Sequence, residues 1–196
     1  RISQFPGGAS NLTYLIESPN QELVLRRPPF GHKAKSAHDM GREYRILNQL
    51  NAGFPYCPKA YVHCTDESLI GGEFYVMERV NGIILRSEMP AELNFSEEQT
   101  RNLCKSFIDK MVELHNVDYQ ACGLGDLGKP EGYVQRQISG WSDRYDKALT
   151  PDAPLWEPVK AWLKDKMPSD HHKPGIVHND YRFDNVILNP QNPSEI

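Results

Sequence analysis

Gly175-Ile176-Val177-His178-Asn179-Asp180-Tyr181-Arg182-Phe183-Asp184-Asn185-Val186-Ile187-Leu188 is the stretch on which the reading of this 196-residue chain turns. Two short apolar, β-prone segments, 175–178 and 185–188, bracket a polar loop that carries His178, Asp180 and Asn185. An Asp and an Asn five residues apart on one tight loop can do complementary work. The carboxylate can accept a hydroxyl proton, and the amide oxygen can bind a hard cation such as Mg2+. Asx residues also make ordinary turns, so the match needs weighing. With 7 His, 12 Asp and 12 Asn in 196 residues, a His-x-Asp-x(4)-Asn pattern arises by chance about 0.03 times. The bracketing apolar segments, expected as strands, strengthen the match.

Outward from this loop the chain changes character once. Residues 2–5, 12–17 and 22–27 read as a three-stranded meander punctuated by Pro6-Gly7-Gly8 and Ser18-Pro19-Asn20. Pro28-Pro29 stops the third strand, a helix is expected over about 37–51, and two more strands near 60–64 and 73–79. Beyond Asn81-Gly82 helical periodicity dominates, at about 96–115, 131–149 and 155–166. The expectation is an α+β chain: a small antiparallel β lobe with one helix, a hinge near 79–82, and a mainly helical lobe.

His178-Asn179-Asp180 through Asn185 resembles the catalytic loop of the aminoglycoside phosphotransferase and choline kinase-like family, relatives of protein kinases that usually read H-G-D-x-x-x-x-N. Asn179 replaces the customary Gly, a mild departure because Asn tolerates left-handed backbone better than most residues. Leu25-Arg26-Arg27-Pro28, Glu73-Phe74-Tyr75-Val76-Met77-Glu78 and Tyr133-Val134-Gln135-Arg136-Gln137 are most similar to the branch found with, or fused to, acyl-CoA dehydrogenases. The resemblance implies a bilobal protein-kinase-like fold, with 1–80 as a nucleotide-binding lobe and 81–196 as a C-terminal lobe incomplete at its end. It implies ATP and Mg2+ as cofactors and transfer of the γ-phosphate to a hydroxyl of a small molecule. Asp180 would orient or deprotonate that hydroxyl and Asn185 would hold Mg2+, while His178 braces the loop and Asp184 shapes its turn.

The small lobe can be read against physics as well as resemblance. On a helix over 37–51, Met40, Tyr44 and Leu47 share a stripe that also contains Glu43. A carboxylate on a buried face needs a partner, and a basic residue on the third strand is the natural one. Alternation puts Val24 and Arg26 on one face of that strand and Leu23, Leu25 and Arg27 on the other. By resemblance Arg26 stands where kinase-like folds carry the lysine that bridges phosphates and helix Glu, with Val24 covering adenine; Arg27 is the alternative if the strand slips by one residue. Gly7 and Gly8 permit close approach of backbone N–H groups to phosphate oxygens, with Ser10 and Asn11 as side-chain donors. No Walker A pattern is present. By resemblance Met77 lies beside adenine, and the backbones of Glu78 and Val80 bond its edge. Leu103, Phe107, Met111 and Leu114 form the buried stripe of a helix that ends in a structural His115, and Tyr133, Trp141 and Tyr145 read as helix packing.

Composition narrows the field further. A net charge of −4 argues against a protein that binds nucleic acid by neutralising phosphates. No apolar run approaches the roughly 18 residues of a membrane span. Cys57, Cys64, Cys104 and Cys122 lack zinc-ligand spacing and read as reduced structural thiols, and His171-His172 as a solvated linker, so a cytoplasmic location is expected. Pro193-Ser194-Glu195-Ile196 stands before the position of the family's second metal-binding Asp. The natural protein is therefore expected to continue, and the 196 residues alone to be inactive. A catalytically inactive nucleotide-binding or scaffolding kinase-like module is the alternative, with Arg26 and Asn179 as its support. Acceptor identity (a hydroxyacyl compound, an aminoglycoside, choline), a functional link to an acyl-CoA dehydrogenase and oligomeric state stay open at this level.

Overall fold

A computed structural model describes residues 1–6, 11–30, 39–86, 88–169 and 173–196, which form two compact units, Arg1–Leu124 with Gly175–Ile196, and Gly125–Pro174. In the first unit, β1 (Ile2–Gln4), β2 (Leu12–Glu17), β3 (Glu22–Arg27), β4 (Ala60–Cys64) and β5 (Phe74–Glu78) make one antiparallel sheet in the order β1-β2-β3-β5-β4. Leu, Ile, Val, Thr and Tyr fill the strands, as a pleated, half-buried surface favours. The register decides what the sheet presents. Arg26 pairs with Thr13 on one side and Tyr75 on the other, and Val24 with Leu15 and Met77. Directly paired residues share a face, so Val24, Arg26, Tyr75 and Met77 stand together.

Arg27 points the other way. It is 4% exposed, donates to the carbonyls of Pro28, Ile70 and Gly71, and lies over the Phe30 ring at 3.9 Å. A buried guanidinium satisfied in this way locks the strand's phase. The one-residue slip that would have exchanged Arg26 for Arg27 is not taken.

Helix α1 (Met40–Leu50) packs on β4 and β5 with Met40 fully buried. Asp39 caps it by accepting from the Arg42 N–H at 2.8 Å, which sets the helix start at residue 40. Helix α2 (Glu97–Asn116) opens with a reciprocal capping box between Ser96 and Gln99. Its Leu103 joins Leu85, Val186 and Leu188 in a core against which Ile83, Phe107, Tyr181 and Phe183 pack. The residues flanking the Asp180 loop are thus anchored in the same core as α2.

The strands expected at 175–178 and 185–188 do not form. Residues 175–178 carry no ladder, Phe183–Asn185 is a 3₁₀ turn, and beyond it Leu188 makes a single antiparallel bridge with Ile83 (N–O 2.8 and 3.1 Å). Apolar β-branched residues make a strand only where a partner backbone runs alongside. Here Gly175 instead abuts helix α2: a Cβ on it would stand 2.6 Å from the His115 carbonyl oxygen.

In the second unit, α3 (Tyr133–Lys147) packs against α4 (Glu157–Asp165). The Lys160 ammonium joins them, bonded to Asp146 and Glu157, and the Tyr145 hydroxyl donates to the Pro154 carbonyl at 2.6 Å. The aromatic stripe expected to pack does so only in part: Tyr145 is half-buried, whereas Tyr133 and Trp141 are exposed. None of the described helices is long and apolar enough to cross a membrane.

Candidate active site

Glu43 is the centre of the first constellation. Its Oε2 lies 3.3 Å from Arg26 Nε and accepts from the Tyr75 hydroxyl at 3.0 Å, while Oε1 accepts from Asn11 Nδ2 at 2.9 Å. The carboxylate that helical periodicity placed on the inner stripe therefore finds the basic partner expected on β3. It also has two neutral donors that sequence reasoning did not assign to it. Tyr75 is the more legible of the two. A strand tyrosine on the same face as Arg26, when buried, needs a partner for its hydroxyl.

Around this pair, Val24 is buried and Met77 half-buried opposite it. The Glu78 N–H is committed to the Lys59 carbonyl at 2.8 Å, and its carboxylate accepts from the Lys59 N–H at 3.1 Å. That leaves Glu78 only its carbonyl for an adenine edge. Among the described residues the main chain of Val80 has no hydrogen-bond partner. Gly7, Gly8 and Ser10, expected over the phosphates, and the His171-His172 pair lie outside the described residues.

The second constellation is the loop itself. Asn179 adopts φ +65°, the left-handed conformation for which the family's usual Gly is suited. The next residue, Asp180, donates its N–H to His178 Nδ1 at 3.3 Å, so His178 braces the turn. Asn185 Nδ2 donates to both the Asp180 carbonyl (2.9 Å) and Asp180 Oδ2 (2.7 Å). Asp180 and Asn185, both exposed, are thereby locked side by side. Arg182 grips Asp184 through two N–H groups, and this bonding holds the Asp184 carboxyl below its usual range. The loop is pinned from beneath by Tyr181, whose hydroxyl donates to the Phe107 carbonyl at 2.8 Å, and by Phe183, stacked on Phe107 at 4.3 Å. Burial pushes the Tyr181 phenol up, which keeps it a donor. The ring of His115 is exposed; what α2 supplies here is the His115 carbonyl against Gly175.

With its Nδ2 spent on Asp180, Asn185 retains Oδ1, a hard oxygen ligand beside a carboxylate. Among the described residues no group of three or more His, Cys, Asp or Glu side chains is placed to hold a metal ion. The donors present fit a hard cation held jointly with phosphate oxygens, the mode typical of Mg2+.

The sequence pattern of the phosphotransferase enzyme family, APH, matches residues 1–196. The chain belongs to that family, and its fold is the α+β, kinase-like fold of that family. Acyl-CoA dehydrogenase family member 11 of Gallus gallus is 36% identical over 190 residues, which are 96% of this chain and 24% of that protein. The chain thus spans about a quarter of the length of the curated relatives it matches. A nominal aminoglycoside phosphotransferase from Ralstonia eutropha JMP134 superposes with TM-score 0.84 at 35% identity, covering 98% of this chain and 56% of its own. The streptomycin–ATP–APH(2")-IIa ternary complex superposes with TM-score 0.64 at 18% identity, covering 96% and 61%, a likeness of fold alone.

Proposed function

We propose that the protein carrying this chain moves the γ-phosphate of ATP to a hydroxyl of a small molecule. The observation that carries the reading is the Asp180–Asn185 pair, a carboxylate and an amide oxygen locked together on one loop. In this reading 1–80 is the nucleotide lobe and 81–196 the catalytic part. Val24 and Met77 flank the adenine, the Glu78 carbonyl and the Val80 main chain meet its edge, and Gly7, Gly8 and Ser10 cover the phosphates. Arg26 holds phosphate oxygens with a planar, permanently charged fork. Asp180 accepts the proton of the acceptor hydroxyl as its oxygen bonds to the γ-phosphorus, the bond to the β-bridging oxygen breaks, and ADP leaves. Mg2+, held by Asn185 Oδ1 and phosphate oxygens, would neutralise charge on the phosphates. Positioning and charge supply most of the rate in such transfers.

Support for the nucleotide comes from a fold neighbour solved with ATP, and for the acceptor from the aminoglycoside named in that complex. The acyl-CoA dehydrogenase name of the longer relatives puts hydroxyacyl compounds in the same panel. A catalytically silent nucleotide-binding module is the second reading, favoured by Arg26 in the place of the family's lysine. One assay separates them: phosphate transfer from ATP by the full-length protein across hydroxyacyl compounds, aminoglycosides and choline, beside Asp180→Asn. Loss of a proton acceptor is expected to lower turnover by about 100-fold or more. Equal turnover in both proteins would sink the catalytic assignment.

A further inference from the structure

Three elements converge on one carboxylate. Asn11, immediately before β2, takes Glu43 Oε1; Tyr75 on β5 takes Oε2; Arg26 on β3 comes to 3.3 Å of that same oxygen. The two neutral donors are the buried ones. Tyr75 is 1% exposed and Asn11 5%, whereas the Arg26 and Glu43 side chains are 36% and 31% exposed. The charged contact is also poorly aligned: Arg26 Nε is shut off from solvent yet has no hydrogen-bond acceptor along its N–H direction. Attraction between two long, partly hydrated side chains does not by itself select one rotamer for either. Hydrogen bonds from buried groups with few rotamers do.

We infer that Asn11 and Tyr75 are positioning residues, which fix the Glu43 carboxylate and, through it, the place of the Arg26 guanidinium. The inference rests on Arg26 being a phosphate-binding residue, as proposed above. An arginine makes the demand sharper than a lysine would. A compact ammonium rotates freely, but a guanidinium fork must have its plane set to meet phosphate oxygens. Tyr75 suits the task because it stands beside Arg26 in the ladder and its deeply buried phenol stays protonated.

The test is binding of a fluorescent ATP analogue with Mg2+ to the whole protein, to Tyr75→Phe, to Asn11→Ala, to Glu43→Ala, and to each of the first two combined with Glu43→Ala. Tyr75→Phe and Asn11→Ala are each expected to weaken binding by about 3- to 10-fold. In the Glu43→Ala background neither should add more than about twofold, because the carboxylate they act through is gone. Losses of full size in that background, or unchanged affinity in both single variants, overturn the inference while leaving nucleotide binding intact. A wild-type protein that binds no nucleotide overturns the phosphotransfer reading itself, and this inference with it. Should Tyr75→Phe fail to fold, the Asn11→Ala cycle alone decides.

Discussion

At the scale of single residues, Asn179 is the clearest meeting of sequence and backbone. The family's loop takes Gly at this position, and Asn179 occupies the same left-handed region at φ +65°. A β-branched residue there meets the full Cβ penalty, whereas Gly meets none. Asn179→Val is therefore expected to cost about 1–3 kcal/mol in denaturant unfolding, and Asn179→Gly to be nearly neutral. Equal stability of the two variants would contradict the assigned backbone. Glu43 teaches a complementary lesson. Its inward position and its need for a cation were legible from helix and strand periods, which are local. Its two neutral donors were not, since Asn11 and Tyr75 each lie 32 residues away along the chain.

At the scale of elements, the crossing of Gly82 with the segment after the Asp180 loop is the tightest point. A Cβ on Gly82 would sit 2.3 Å from the Leu188 carbonyl oxygen and 2.5 Å from Ile187 Cγ2. Both neighbours belong to the segment that makes the single Ile83–Leu188 bridge, and Leu188 is fully buried. Overpacking here must displace backbone, so Gly82→Ala is expected to lower unfolding free energy by about 1–3 kcal/mol. Gly140, on α3, offers the control. Apart from its chain neighbours and the helix's own backbone, no described atom lies within 4 Å of a Cβ built there, and Gly140→Ala should stabilise by about 0.5–1 kcal/mol through helix propensity. Urea midpoints that move in the same direction for both would refute this contrast. The helices themselves were legible because each apolar stripe lies within one segment, Met40, Tyr44 and Leu47 for α1 and Leu103, Phe107, Met111 and Leu114 for α2, whereas the caps at Asp39 and Ser96–Gln99 emerged with the structure. The strands around the loop were misread because apolar β-branched runs report burial, and a ladder requires a partner that composition does not reveal.

At the scale of the whole molecule, the net charge of −4 and the two compact units describe a region matching about a quarter of its longer relatives. Ligand binding offers a test at this scale. A nucleotide that binds the folded protein at 100 times its Kd raises unfolding free energy by about 2.7 kcal/mol. Mg2+ with ATP is therefore expected to raise the Tm of the wild-type protein in a concentration-dependent way, and less so in Glu43→Ala. A Tm indifferent to nucleotide at millimolar concentration would count against the proposed site.

The sequence by itself determined the α+β order of elements, the inward face of α1, the facing of Arg26 and the His178–Asp180–Asn185 loop. Each of these is written in periods or spacings of a few residues, which backbone geometry converts directly into faces and turns. Tertiary structure alone decided that Arg27 is spent on the carbonyls of Ile70 and Gly71, that Asn11 and Tyr75 close on Glu43, and that Gly82 is pressed against Leu188. Such contacts join residues distant in sequence. They are chosen by close packing and by the cost of leaving buried polar groups without partners, conditions that act only once the whole chain is in place.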